Sequence, residues 1–253
     1  MPVLAHLSDI HLGQDHDGDG GARAEARARQ VMAHLDALPG PIDAVLVTGD
    51  IADHGRPEEY AAAAKVLASD RHRVLLCPGN HDVREAYRAG LLGEEPSAAP
   101  VNRLHELPGL TVVMCDSSVP GRPEGRLDEE TLGWLDRTLS RARRDVPAVV
   151  AFHHPPVELH APFVDAIRLQ DEARVAAVLR CHPQLRAVLC GHAHTAAVSR
   201  FANLPLAVAP GVVSTVGLPW EGGADILFDQ PPMVAFHVLD EGGRLTTHHR
   251  VVV

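Results

Sequence analysis

The sequence predicts a layered α/β domain, on two observations. Short apolar runs alternate with longer stretches of helical periodicity, and five polar clusters each stand at the end of such a run. Runs that are apolar throughout, rather than alternating, belong to strands covered on both faces. In open α/β sheets, ligands bind in the crevice beyond the carboxyl ends of the strands, so the clusters are expected to converge on one rim.

Taken in order, Val3–Leu7, Ala44–Thr48, Arg73–Cys77, Leu110–Cys115, Ala148–Phe152 and Ala187–Cys190 read as strands. Leu206–Ala209, Met233–Leu239 and Leu245–Val251 follow later in the chain. Gly21–Leu38, Pro57–Ser69, Asp128–Arg144 and Asp171–Cys181 read as helices. In the first of these, Val31, Leu35 and Leu38 recur at three- and four-residue steps while charged residues fill Arg23–Arg29. Asp128 ahead of Glu129, Glu130 and Thr131 is an N-cap with an acidic first turn, which the helix dipole favours. The last quarter lacks intervening helices, and Asp240–Gly243 reads as a hairpin turn. That pattern predicts a second, more antiparallel sheet packed on the first. Leu218–Pro232, rich in Pro and Gly, reads as a loop or lid over one end. Residues 1–253 are expected to form one domain.

Composition narrows the function. A net charge of -10 without a Lys/Arg-dense stretch argues against nucleic-acid polymers as partners, and 4% aromatics leaves few platforms for stacking bases. No run reaches the ~18 apolar residues of a membrane span, and no signal peptide is indicated at the N-terminus. Cys77, Cys115, Cys181 and Cys190 lack C-x-x-C spacing and are expected to be reduced, as in a cytoplasmic protein. Histidine is the outlier at 17 residues, most of which are expected at the surface, His160, His248 and His249 among them. Trp134 fits a helix core; Trp220, in the Pro-rich loop, is open to base stacking or a dimer contact.

The clusters are Asp9-Ile10-His11, Gly49-Asp50-Ile51-Ala52-Asp53, Gly79-Asn80-His81-Asp82, His153-His154-Pro155 and Gly191-His192-Ala193-His194. Together they supply carboxylate, amide and imidazole donors without thiolate, a set suited to Mn, Fe, Co or Zn in a hydrolytic site. Asp9 and His11, two apart, would point to the same side of an extended segment and grip one ion. Gly13, Gly49, Gly79 and Gly191 sit where the backbone must turn or let ligands approach.

This series, Asp-x-His, Gly-Asp-x-x-Asp, Gly-Asn-His-Asp, His-His-Pro-Pro and Gly-His-x-His, resembles the calcineurin-like metallophosphoesterase superfamily. It looks most like the class III cyclic-nucleotide phosphodiesterase and glycerophosphodiesterase branch. Leu7-Ser8, Gly55-Arg56-Pro57-Glu58-Glu59-Tyr60, Asp116-Ser117-Ser118-Val119-Pro120-Gly121 and Gly133-Trp134-Leu135 extend the likeness, which runs over residues 3–210.

The resemblance implies a four-layer α/β/β/α sandwich of two mixed sheets and a binuclear centre. Asp9, His11, Asp50 and His194 would hold one metal, and Asp50, Asn80, His153 and His192 the other, with Asp50 bridging. Iron and manganese are the favoured ions, with zinc or cobalt compatible. His81 would be catalytic and face the substrate together with His11, Asp50, Asn80 and His194; Asp53 would orient the His81 ring. His154 would pack beside the site, and Asp82 would fix an imidazole or cap the next segment.

The implied reaction is hydrolysis of a small phosphodiester by an activated water. Two ions about 3.5–4 Å apart can clamp a phosphoryl group and lower the pKa of water to ~7. They would also leave the pocket locally positive although the protein is acidic. A 3′,5′-cyclic nucleotide such as cAMP is the expected substrate. The alternatives are a glycerophosphodiesterase or broad phosphodiesterase, a phosphomonoesterase, a non-catalytic scaffold of the same fold, and a nuclease. A homodimer is also expected to be open to this chain.

Overall fold

A computed structural model describes all 253 residues. Eleven strands form two sheets. The first has β1 (Val3–Leu7), β2 (Ala44–Thr48) and β3 (Val74–Cys77) in parallel. The second takes β4 (Arg103–Leu107), β5 (Leu110–Met114), β6 (Ala148–Ala151), β7 (Leu185–Cys190), β8 (Ala197–Phe201) and β9 (Leu204–Val208). β10 (Met233–Leu239) and β11 (Leu245–Val251) complete the first sheet. In space the first sheet runs β11-β10-β1-β2-β3 and the second β8-β9-β7-β6-β5-β4.

Side chains alternate across each strand, so each central strand serves two cores. Leu4, Leu46 and Leu75 meet Val112, Met114, Val149 and Leu189 between the sheets. On the outer face of the first sheet, Ala5, Leu7, Val45 and Val47 pack under α1 (Ala22–Ala37) and α2 (Pro57–Val66) through Val31, Leu35, Tyr60 and Ala63. On the outer face of the second, Val113, Val150 and Val188 pack under α3 (Glu129–Arg141) and α4 (Glu172–Arg180) through Leu135, Leu139, Val175 and Leu179. The result is the α/β/β/α sandwich. Thr131 N–H donates to the Asp128 carboxylate at 2.8 Å, which is the expected cap of α3.

The terminal hairpin corrects one expectation. β10 and β11 pair antiparallel across the Asp240–Gly243 turn, but β10 then joins β1 (Val3↔Val238, Ala5↔Phe236) and extends the first sheet. The chain's middle builds the second sheet instead. Docking the hairpin there covers the edge of β1 that would otherwise offer unpaired backbone groups. The strands β4 and β8, absent from the sequence reading, are the two edges of the second sheet. Polar residues such as Glu106 and Arg200 interrupt their apolar pattern because one face of an edge strand meets water.

Parallel pairing of β1, β2 and β3, and of β5, β6, β7 and β9, points their carboxyl ends at one rim. A bridge between Ser8 and Gly211 links the two sheets there. Within 218–232, Ile226–Leu227 returns to pair antiparallel with Thr215–Val216, so the segment forms a small hairpin.

Candidate metal centre

The loops at this rim leave their strands abruptly. Asp9, His11, Asp50, His192 and His194 all take left-handed backbone, with φ of 56°, 46°, 49°, 68° and 51°. Asp9 and His11 therefore do not share a side by alternation along an extended strand, as their spacing suggested. They are brought together by a turn. Non-glycine residues held this way cost about 1–3 kcal/mol each and persist only where surrounding structure fixes them. Main-chain bonds between the loops do so: His11 N–H to Asp50 O (2.9 Å), Asp53 N–H to Leu12 O (3.0 Å), and Gly211 N–H to His194 O (3.0 Å).

Asp82 is the buried hub beneath two loops. Its carboxylate accepts from the N–H groups of Ile51, Ala52 and Gly79 and from the Tyr60 hydroxyl, at 2.9–3.2 Å. Burial and the neighbouring Asp50 push it up to about 6. Gly49, at φ +90°, and Gly79 approach so closely that a Cβ on Gly79 would strike the Asp50 carboxylate, and one on Gly49 the His153 ring. No larger residue fits at either place.

Seven side chains converge on the space above. His153 Nε2 lies 3.3 Å from Asp50 Oδ2 and 3.2 Å from Asn80 Oδ1, and His192 Nδ1 lies 3.2 Å from His153 Nε2. His11 Nε2 is 3.6 Å from Asp50 Oδ2 and 3.2 Å from His194 Nε2, which is 3.4 Å from Asp9 Oδ1. Asp50 Oδ2 thus stands within reach of both groups. Metal bonds of about 2.0–2.2 Å at octahedral or tetrahedral angles place adjacent donors about 3.0–3.5 Å apart. The donor spacing fits that shell. Asp9 Oδ1 is buried without any hydrogen-bond partner, a cost that a cation would relieve.

The second ring nitrogens explain which lone pairs are free. His11 Nδ1–H donates to Asp53 Oδ1 (2.9 Å) and His153 Nδ1–H to the Thr48 carbonyl (2.6 Å), so Nε2 is the nitrogen each ring turns toward the centre. His194 Nδ1 meets Ser214 Oγ at 2.7 Å. Anchoring one nitrogen so that the other faces an ion is how proteins hold imidazole ligands. His154 differs, because Ser117 Oγ (2.8 Å) and Pro123 O (3.2 Å) engage both its nitrogens. It packs beside the site without opening onto it.

Electrostatics sharpen the contrast between ligands. Burial opposes charge on His153, but the Asp50 carboxylate beside it raises it to about 9. His11 is likewise lifted against burial by Asp53 and Asp50. His194 is lowered to about 4, mainly by burial, with Asp9 opposing. Asp50, despite burial, is held well below the usual carboxylate range by His153. In such a set, protons sit where cations would otherwise balance the carboxylates.

Asp53 acts by two different atoms. His81 Nδ1–H donates to its main-chain oxygen at 2.7 Å, while its carboxylate turns to His11 and stays 3.9 Å from His81. The expected link from Asp53 to His81 is therefore made by the backbone, and the carboxylate serves His11. His81 is half exposed at the cavity mouth, with its ring edge-on to His11 at 4.6 Å between centroids. Ser214 and the Thr48 carbonyl, with Ser8 Oγ donating to the latter at 2.9 Å, are positioning groups that motif reading missed. Ser8 lay inside a recognisable motif; Ser214 and a main-chain carbonyl carried no sequence signal.

A four-layer sandwich with a rim of this donor chemistry is the architecture of metal-dependent phosphoesterases. A family model described as calcineurin-like phosphoesterase matches residues 2–196, and the chain belongs to that family. It is 36% identical over 228 residues (87% of this chain, 74% of the relative) to a Rhodococcus erythropolis protein named "Probable cyclic nucleotide phosphodiesterase". It is 33% identical over 240 residues (93% and 86%) to a glycerophosphodiester phosphodiesterase of Enterobacter lignolyticus. A cAMP/cGMP dual specificity phosphodiesterase of Mycobacterium tuberculosis is 34% identical over 226 residues (87% and 70%). Among solved structures, a dimetal phosphatase from Danio rerio superposes with a TM-score of 0.72 at 16% identity, covering 100% of this chain and 96% of its own, which speaks for the fold.

Proposed function

We propose that this protein is a binuclear metal-dependent phosphodiesterase acting on small diesters, with 3′,5′-cyclic nucleotides as its substrates. The observation that carries the reading is the meeting of six donor side chains with Asp50, the imidazoles each turning one ring nitrogen toward one space. Asp9, His11, Asp50 and His194 would hold one ion, and Asp50, Asn80, His153 and His192 the other. When bound, such ions polarise phosphoryl oxygens and lower the pKa of water towards ~7.

The chain's own groups then divide the work. Asn80 and the imidazoles orient the phosphate. Because Nδ1 of His81 is committed to the Asp53 main chain, its Nε2 is the nitrogen left to meet substrate. Protonated there, it would donate to the departing alkoxide oxygen as the P–O bond breaks, an effect of about 10²–10⁴-fold. The Asp53 carboxylate keeps the His11 tautomer fixed.

Relatives named for cyclic nucleotides and for glycerophosphodiesters are about equally similar, so the alcohol released is the finer part of the proposal. Four free cysteines, three of them buried, support a reducing, cytoplasmic setting. The test is kcat/KM over a panel of 3′,5′-cAMP, glycerophosphocholine and bis(p-nitrophenyl) phosphate on protein reconstituted with Mn²⁺. The reading expects metal-dependent turnover with cAMP preferred. Absence of any metal-dependent hydrolysis would favour a scaffold.

A further inference from the structure

Two cavities adjoin at the rim. One, of about 250 Å³, is floored by the metal-type donors and walled by Phe163, Val164, Ile167 and Ile226. The other, of about 530 Å³, opens beside it between Ala161-Pro162 and the hairpin residues Leu218, Pro219 and Ala224. Phe163 and Val216 line both. Taken together they fall in the 300–1,000 Å³ range of small-molecule sites, whereas the first alone is too small for more than a phosphate and its immediate esters.

The walls carry chemical information. Phe163 stays 51% exposed while its neighbour Val164 is buried in the core, so no core needs its ring. Neither cavity is lined by Lys or Arg, and the ionisable side chain on the outer one is Asp225. A second anionic group on the substrate would be repelled there, which disfavours nucleoside polyphosphates and polynucleotides. The outer wall is built, not loose: Val216 pairs with Ile226, and Gly217 N–H donates to Asp225 O at 2.9 Å. A quaternary ammonium cage would call for several aromatic faces, and Phe163 is the one ring lining this cavity.

We infer that the outer cavity is the subsite for a flat, uncharged aromatic group of the diester, a nucleobase or an aryl ring, seated against Phe163 and Val216. This rests on the phosphodiesterase reading and gives it a substrate class. Asp225 at the wall can accept from an exocyclic amine of a base. Glycerol or choline esters would leave the apolar wall unused.

The test compares Phe163→Ala with parent enzyme, both reconstituted with Mn²⁺, on 3′,5′-cAMP, bis(p-nitrophenyl) phosphate and glycerophosphocholine. Phe163 is exposed, so its truncation should not unfold the protein; Phe163→Trp restores a stacking face. The expected result is a loss of about tenfold in kcat/KM for the two aromatic diesters, the scale of base–aromatic stacking, and less than twofold for glycerophosphocholine. A binding readout comes from Trp220, which lies between the lining residues Pro219 and Gly222. In a Trp134→Phe background its emission should shift with 5′-AMP and not with glycerol 3-phosphate, and Phe163→Ala should weaken the 5′-AMP response about tenfold. Equal losses on all three diesters, or a larger loss on glycerophosphocholine, would overturn the subsite while leaving the phosphodiesterase reading intact. A parent enzyme that hydrolyses none of them with metal present would remove both.

Discussion

The protein holds two groups of buried histidines, and they are built on opposite rules. At the rim, His11, His153 and His194 each spend one nitrogen on an anchor and turn the other to a shared space beside Asp9 and Asp50. Between the sheets, His6 meets Thr48 Oγ1 at 2.8 Å and His237 Nε2 at 3.0 Å, and His237 closes on Thr247 Oγ1 at 2.8 Å. Every ring nitrogen in that string is used, and no carboxylate joins it. The titrations divide only in part: burial drives His237 down to about 3, His6 well below its ordinary value and His194 at the rim down to about 4, whereas nearby carboxylates lift His11 and raise His153 to about 9. The backbones diverge too, left-handed at most rim ligands and ordinary strand at His6 and His237. Burial and residue type do not make a ligand; an open lone pair beside a carboxylate does.

The largest effect that would test this contrast is at Asp50. Asp50→Ala removes the carboxylate within reach of both ligand groups, and turnover of bis(p-nitrophenyl) phosphate should fall by more than about 10³-fold. Retention of a tenth of the parent rate would break the comparison at its centre. Next in size is His81→Ala, expected to keep its metals by elemental analysis while losing about 10²–10⁴-fold in kcat. Asn80→Ala should instead lose one ion. Equal metal loss in both variants would contradict the role given to His81.

Ser214→Ala should give a smaller change, about 10–100-fold weaker metal binding in a competition with a chelating dye, because His194 loses its anchor. The inter-sheet pair should leave catalysis alone and act on stability. His6 and His237 are neutral when folded but have an ordinary pKa of about 6.5 once unfolded. The unfolded chain therefore binds more protons at these two residues below pH 6.5, and the pair's contribution to stability should fall as pH drops from there toward 3 and be constant above it. His237→Ala should cost about 1–3 kcal/mol by leaving His6 and Thr247 short of a partner, with unchanged metal content. A urea-midpoint series against pH reads this, and a variant as steeply pH-dependent as the parent would show the pair is not the cause.

Much of the rim was legible in the sequence because metal-type residues are polar, clustered and set at the ends of apolar runs. Parallel strands do the rest by aligning those ends. Three things were not legible. His6 and His237 sit inside apolar strands and look no different in type from His11. The resemblance assigns the Asp53 carboxylate to His81, yet a left-handed turn at His11 brings that ring closer. The terminal hairpin's choice of sheet depends on which edge is left open, and that is a property of the assembled fold, not of any local pattern.

The central claim is tested most directly by counting manganese ions per chain after reconstitution, in the parent and in Asp50→Ala and His6→Ala. The account predicts two ions in the parent and in His6→Ala and fewer than one in Asp50→Ala. A single ion in the parent, or two retained without Asp50, would contradict it.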